Sequence, residues 1–327
     1  MEPDVILVVG ANSQDACVLA EILANTEEKL ILTSFDSNNS VPFHRNFFPG
    51  NKIVKTKEYS WQFFLKIFSD FKIKQVYIFG SLSIVYDPGT SKDEYYKSTI
   101  GLVESLTKAL SISKKIDSVM IFHSSSVEMF GKNLVLQQTE STRLNPQSPY
   151  AEGKALAHQH FQDLREKGIC QSINGIMYNH ESKYRKEYFV TQKICIAVAQ
   201  ISLGLRSVIP LGNLRTYRDW SYANDLISAV RFGMNSKLSG DYILASGVTH
   251  SLEDWIDAAF KSISVSNWSN YVELDKKFMR EDEEYIPNAN VSKAQRVLNL
   301  TSTLSFEDLV GHMVGHKIKE LRSQNAN

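Results

Sequence analysis

The run Val5-Ile6-Leu7-Val8-Val9-Gly10-Ala11-Asn12-Ser13-Gln14-Asp15-Ala16 decides the fold. Its first five residues are all apolar and mostly β-branched, the pattern of a strand buried on both faces, as in a parallel sheet. Gly10 stops the run. Cys17, Leu19, Ala20, Leu23 and Ala24 then recur at helical spacing over residues 16–25. Residues 30–32 read as a second strand, 62–71 as a helix, and 75–79 as a strand ending at Gly80. Two longer helical stretches, 94–110 and 150–168, flank the apolar run 118–122. Strands alternating with helices of this length imply βαβ units with right-handed crossovers. The expected class is α/β, a doubly wound Rossmann-like parallel sheet.

Beyond residue 170 the alternation loosens. Short strand-like pieces (173–178, 207–211, 241–244) mix with helices at 191–205 and 252–262, and no Pro/Gly/Ser-rich linker divides the halves. We expect a dinucleotide-binding domain over 1–172, to which later segments return. A smaller, interleaved C-terminal substrate domain is expected mainly over 173–327. Residues 279–284 (MREDEE) form a charged run, and the last residues read as a frayed tail.

Composition excludes several classes. The 327 residues are 43% hydrophobic and carry 36 basic and 36 acidic side chains, a net charge of zero. A generic nucleic-acid or anionic-membrane binder would show a basic excess. Cys17, Cys170 and Cys195 lie far apart without a CxxC pair, which suggests neither a disulfide framework nor a metal site. The acidic start Met1-Glu2-Pro3-Asp4 is unlike a signal peptide, and no stretch approaches a membrane span of roughly 18 apolar residues. A cytoplasmic protein that engages neither nucleic acid nor membrane is the expectation.

The loop Gly10–Ala16 sits where a dinucleotide fold presents backbone N–H groups and a helix N-terminus to a pyrophosphate. Only the first of the three usual glycines is present; Ser13 and Ala16 stand in the other places. An ordinary strand–helix turn is the alternative reading. Asp36, just after the second strand, is either a ribose ligand favouring NAD or a solvated loop acid.

Tyr150 and Lys154 are four residues apart and so share one face of a helix. A phenol near pKa 10 is a poor base at neutral pH, and a neighbouring ammonium is expected to lower it. Upstream, Ser124-Ser125-Ser126-Val127-Glu128 follows the buried run 118–122, where the carboxyl end of a strand delivers ligand contacts. Strand-end capping for the serines and a solvated acid for Glu128 are the plainer alternatives.

These residues, Ser-x-Glu after a strand and Tyr-x-x-x-Lys on the next helix, resemble the extended short-chain dehydrogenase/reductases. The segments Asn174–Ser182, Phe189–Ile194, Leu211–Leu214 with Arg218-Asp219-Trp220, and Ser292-Lys293-Ala294 resemble more narrowly the GDP-mannose 4,6-dehydratase family. The resemblance is dense over 118–316 and faint before that. It implies that Tyr150 takes the proton of the sugar 4-hydroxyl and that Lys154 holds the nicotinamide ribose. Ser126, threonine in the family, would bond the 4-oxygen, and Glu128 would take the C5 proton before water leaves C6. It implies cofactor contacts for Gly10, Asn12, Ser13, Gln14, Asp15, Asp36, Gly80, Ser81, Lys154, His180 and Arg185. Substrate contacts are implied for Asn179, Val190, Lys193, Leu211, Asn213, Arg218, Arg280 and Glu283, with three cations converging on a diphosphate.

The family's paired arginines after the second strand are absent around Phe35-Asp36-Ser37, and the proline before Glu283 is missing. NADP is the expected cofactor, with NAD the alternative. GDP-mannose or a related nucleotide sugar is the expected partner, converted to the 4-keto-6-deoxy sugar. A related dehydratase or epimerase, or a non-catalytic nucleotide-sugar binder, are the competing readings. A homodimer through the helices 94–110 and 150–168 is expected.

Overall fold

The structure is a computed structural model that describes residues 5–35, 52–80, 89–131, 137–275, 277 and 286–325. Strand β1 (Val5–Val9) is buried at every position and leads into α1 (Gln14–Leu23). There follow β2 (Lys29–Phe35), β3 (Lys52–Thr56), α2 (Trp61–Asp70), β4 (Ile73–Ile78), α3 (Lys92–Ser98), α4 (Ile100–Ile112) and β5 (Met120–Ser126). Helix α5 (Pro149–Glu166) returns the chain to β6 (Gln171–Met177). Then come β7 (Asn179–Glu181), α6 (Val190–Ser202), β8 (Ile209–Leu211), β9 (Tyr217–Tyr222), α7 (Ala223–Asn235) and β10 (Gly240–Leu244). The chain closes with β11 (Thr249–Ser251), α8 (Leu252–Lys261), β12 (Val272–Leu274), α9 (Ser292–Leu298) and α10 (Phe306–Asn325).

Seven strands form one parallel sheet in the order β10-β6-β5-β4-β1-β2-β3. The order reverses between β1 and β4, and ligands of open α/β sheets bind outside the strands' carboxyl ends at such a switch point. Helices α1, α7 and α9 cover one face, and α2, α4 and α5 the other, each with its own apolar core. A second layer holds the three-stranded sheet β11-β9-β7 and the pair β12-β8. It packs around α6, α8 and α10, with Trp220, Trp255 and Phe306 in edge and tilted ring contacts. Residues 172 and 173 are neighbours inside β6, and β10 is an edge strand of the same sheet, so the chain crosses between the layers more than once. Among the described residues, no helix is long and apolar enough to cross a membrane.

The doubly wound sheet is as the sequence predicts; three local details differ. Ser13 is the N-cap of α1, its Oγ accepting from the Ala16 N–H at 3.1 Å, so the helix begins two residues before the predicted 16. Serine therefore suits the second glycine's place. Gly10 itself stays irreplaceable: its φ is +93°, and a Cβ there would stand 2.4 Å from the Gly80 nitrogen. The strand predicted at 118–122 extends to Ser126, so the serines belong to β5 itself.

The predicted helix 94–110 is two helices, broken at Thr99 (φ −114°, ψ −92°). The Thr99 hydroxyl donates to the Tyr95 carbonyl at 2.7 Å, competing with the backbone ladder. That bend seats Thr99 on Gly153 of α5, where an added Cβ would meet Thr99 Oγ1 at 2.2 Å. Gly153→Ala should therefore destabilise the protein by about 1–3 kcal/mol, as overpacked sites do. In a Thr99→Ala background the same change should cost less, since only the residue 99 Cβ, 3.2 Å from the added Cβ, remains in the way. Urea unfolding of the four proteins of this cycle measures both values.

Candidate active site

Helix α5 starts on a strong signal: Ser148 caps it, Oγ accepting from the Ala151 N–H at 3.2 Å, and Pro149 occupies its first turn. This start fixes Tyr150 and Lys154 on the face toward β5. Both are buried, at 9% and 4% exposure. The Lys154 ammonium donates to the Ser124 carbonyl at 2.7 Å, and the Ser126 hydroxyl hydrogen-bonds the Tyr150 phenol. Ser126 also ends β5 and caps the 3-10 turn Val127–Phe130, accepting from the Glu128 N–H at 3.3 Å. The turn presents the half-buried Glu128 to the same space.

These groups open on one cavity of about 450 Å³ at the carboxyl ends of β1, β4 and β5. Gly10, Asn12, Ser13, Gln14, Asp15 and Gly80 line it from the loops of the large sheet. Ser126, Glu128, Tyr150 and Lys154 line its middle, and Asn179, His180 and Arg185 close it from the second layer. Five predicted substrate residues are not on this wall. Val190 and Lys193 lie exposed in the first turn of α6, just past the lining Phe189. Leu211 is core, the Asn213 side-chain Oδ1 accepts from the Arg215 N–H, and Arg218 donates to the Tyr217 carbonyl. Asp36, Ser81, Arg280, Glu283 and the charged run 279–284 lie outside the described residues.

Electrostatics correct one expectation. Tyr150 is not lowered by Lys154 but pushed up to about 12, chiefly by burial, with the Glu128 charge adding and the Ser126 hydrogen bond opposing. The ammonium stands 5.9 Å from the phenol ring centroid and is committed to the Ser124 carbonyl. Burial in turn pushes Lys154 down to about 8, against the attraction of Asp15.

The loop residues Gln14 and Asp15 do more than edge the cavity. Gln14 Nε2 donates to the His180 carbonyl at 3.0 Å, and the Ser182 hydroxyl donates to Gln14 Oε1 at 2.9 Å. His180 Nε2 lies 2.9 Å from Asp15 Oδ1, and its Nδ1 lies 2.7 Å from the Tyr178 carbonyl. Burial disfavours both charges, yet the pair overrides it: Asp15 is held below the usual carboxylate value and His180 above the usual imidazole value. Glu181, fully buried, accepts from Thr191 at 2.8 Å and pairs with Arg185 at 3.2 Å. The segment His180-Glu181-Ser182 thus docks the second layer onto α1. In the Arg-Asp-Trp segment, Asp219 accepts from the Ser246 and Gly247 N–H groups at 2.8 Å, holding the β10–β11 loop.

The sequence reading missed several lining residues: Ser34, Tyr59, Phe79, Tyr178, Lys186, Tyr188 and Phe189. Phe189 begins a segment it had singled out, whereas Tyr59 comes from the β3–α2 connection, where no motif pointed.

Comparison with known proteins gives the family. The profile of the family described as GDP-mannose 4,6 dehydratase matches residues 7–313. The chain belongs to the GDP-mannose 4,6-dehydratase family. GDP-mannose 4,6 dehydratase 2 of Arabidopsis thaliana is 37% identical over 210 residues, covering 63% of this chain and 56% of that protein. The chain thus spans about half the length of that relative. The Homo sapiens GDP-mannose 4,6 dehydratase is 29% identical over 353 residues, covering 99% of this chain and 94% of the relative. Among solved structures, the dTDP-glucose 4,6-dehydratase of Bacillus anthracis in complex with NAD superposes with a TM-score of 0.78 at 18% identity, over 97% of each chain. The UDP-glucose 4-epimerase of Bifidobacterium longum gives 0.80 at 19%, over 97% of this chain and 99% of that one. These two likenesses bear on the fold.

The Asp15–His180 pair makes a pH-dependent contribution. The His180 share is present below its unfolded value of about 6.5 and is lost as pH rises through its raised folded value. The Asp15 share is present above about 3.8 and is lost as pH falls. Asp15→Asn should therefore cost about 3 kcal/mol at pH 5.5, as breaking a buried pair does, and far less at pH 9. Urea unfolding at the two pH values tests this; an equal loss at both contradicts it.

Proposed function

We propose that the chain is a nucleotide-sugar dehydratase that converts GDP-mannose to the 4-keto-6-deoxy sugar and water, with NADP bound and NAD the alternative. The observation that carries this reading is the convergence of Ser126, Glu128, Tyr150 and Lys154 on one cavity at the sheet's switch point. The cavity suits a dinucleotide. Gly10 and Gly80 offer bare backbone at their close crossing, and the first turn of α1 points its N–H groups outward. The one carboxylate on that loop, Asp15, is paired by His180 and would repel a pyrophosphate little. Loop residues 10–15 would hold the phosphates, and Lys154 the nicotinamide ribose. When bound, the nicotinamide supplies a reversible acceptor for the hydrogen at the sugar C4, and its oxidised form carries a charge that favours phenolate.

The chain's own residues handle protons. Tyr150 takes the proton from the 4-hydroxyl while Ser126 donates a hydrogen bond to the 4-oxygen. The resulting ketone acidifies C5, whose proton passes to Glu128 and from there to the hydroxide that leaves C6 as water. Elimination needs this second acid/base group beyond the tyrosine. The same hydrogen returns to C6 and the proton held by Tyr150 goes to C5, so the sum is loss of water without net redox change.

In this scheme residues 1–172 mainly serve the cofactor and residues 173–327 mainly serve the sugar nucleotide, with His180 and Arg185 of the second layer reaching the cofactor. A homodimer through α3–α4 and α5 fits the exposed Ile112 and Leu156 on those helices. Light scattering showing a monomer at micromolar concentration would reject the dimer.

Incubation with GDP-mannose and NADP should give a product lighter by one water in mass spectrometry. Tyr150→Phe and Glu128→Gln should each slow turnover by about 10²–10⁴-fold, the usual worth of a positioned proton-transfer group. Epimerisation would leave the mass unchanged, and a binding protein would leave the substrate intact.

A further inference from the structure

Helix α5 carries a third residue on the face that bears Tyr150 and Lys154: His158, one further turn along. It is 2% exposed, as are Ser125 and His123 beside it on β5. The Ser125 Oγ lies 2.9 Å from His158 Nδ1 and 3.1 Å from His123 Nδ1. His123 Nδ1 lies 3.0 Å from Asn174 Oδ1, and His158 Nε2 faces Asp241 Oδ2 at 3.6 Å.

The partners fix every proton in this chain. Asn174 Nδ2 sits 3.1 Å from the His158 carbonyl and 2.9 Å from Asp241 Oδ1, both acceptors, so the amide cannot be reversed. Its Oδ1 can only accept, which makes His123 Nδ1 the N–H. The Ser125 oxygen then accepts from His123, and its own proton goes to His158 Nδ1. His158 is left with its proton on Nε2, toward the Asp241 carboxylate. Burial holds both imidazoles below the usual value and so neutral at pH 7. Asp241 stays charged, fixed by Arg165, Gln162 and Asn174.

Two consecutive turns of α5 thus grip two consecutive residues of β5: Lys154 holds the Ser124 carbonyl, and His158 holds the Ser125 hydroxyl. We infer that His158 is a positioning residue, which through Ser125 fixes the end of β5 and so places the Lys154 acceptor and the Ser126 hydroxyl that bonds Tyr150. His158 does not line the cavity. Its loss should act on turnover and leave substrate affinity alone. The kinetic arm of the test rests on the dehydratase reading above; the spectroscopic arm does not.

The 327-residue chain is compared with its His158→Leu and His158→Asn variants, the asparagine offering an acceptor near the Nδ1 position. His158→Leu should lower kcat about tenfold or more, in line with the cost of sub-ångström misplacement. KM for GDP-mannose should stay within about twofold, and His158→Asn should recover most of the lost kcat. Wild-type kcat in His158→Leu, or a rise in KM matching the fall in kcat, overturns the inference. In ¹⁵N NMR of the wild-type protein, His158 should be the Nε2–H tautomer at pH 7, with its unprotonated Nδ1 resonance moving in Ser125→Ala as that nitrogen loses its donor. An Nδ1–H tautomer, or a spectrum unmoved by Ser125→Ala, overturns it whether or not GDP-mannose is turned over.

Discussion

The hydrogen bond from the buried Lys154 to the carbonyl of half-buried Ser124, 2.7 Å long, is the joint on which the site depends. It ties α5 to the carboxyl end of β5. One element supplies Tyr150 and Lys154 and the other supplies Ser126 and, one turn on, Glu128. A buried ammonium without a partner would be costly, so the lysine itself selects this seam between helix and strand. The same burial pushes Lys154 down to about 8 and Tyr150 up to about 12. Both shifts come from burial, so a charge added beside these two groups acts strongly.

A second joint builds the far wall. Gln14 and Asp15 open α1 on the large sheet, yet their side chains reach His180 and Ser182 of the second layer. The charged pair Asp15–His180 is held against the cost of burial because both partners also have hydrogen bonds to other groups. Glu181 and Arg185 extend the contact toward α6. The junction of β1 and α1 therefore does two things: its backbone edges one end of the cavity, and its side chains dock the layer that closes the other end.

Much of this was legible in the sequence, for identifiable reasons. The uninterrupted apolar run at Val5–Val9 and its repeats read as a parallel sheet because burial on both faces leaves no polar positions. Tyr150 and Lys154 were legible because helical spacing alone puts them on one face. What the sequence hid was relational. Nothing local to Ser13 showed that it caps α1, or that Thr99 would break a helix by bonding Tyr95 and seating itself on Gly153. The expected lowering of Tyr150 by Lys154 failed because proximity along a helix does not reveal that the ammonium is committed elsewhere. His158 escaped notice for the same reason, since its partner Asp241 comes from an edge strand far along the chain.

A crystal structure of the Tyr150→Phe variant with NADP and GDP-mannose tests the central claim most directly. The account predicts one hexose in the cavity, with C4 turned toward residue 150 and Ser126, and C5 within reach of the Glu128 carboxylate. A sugar bound away from the end of β5, or one with Glu128 on the far side of the chain from C5, would contradict it.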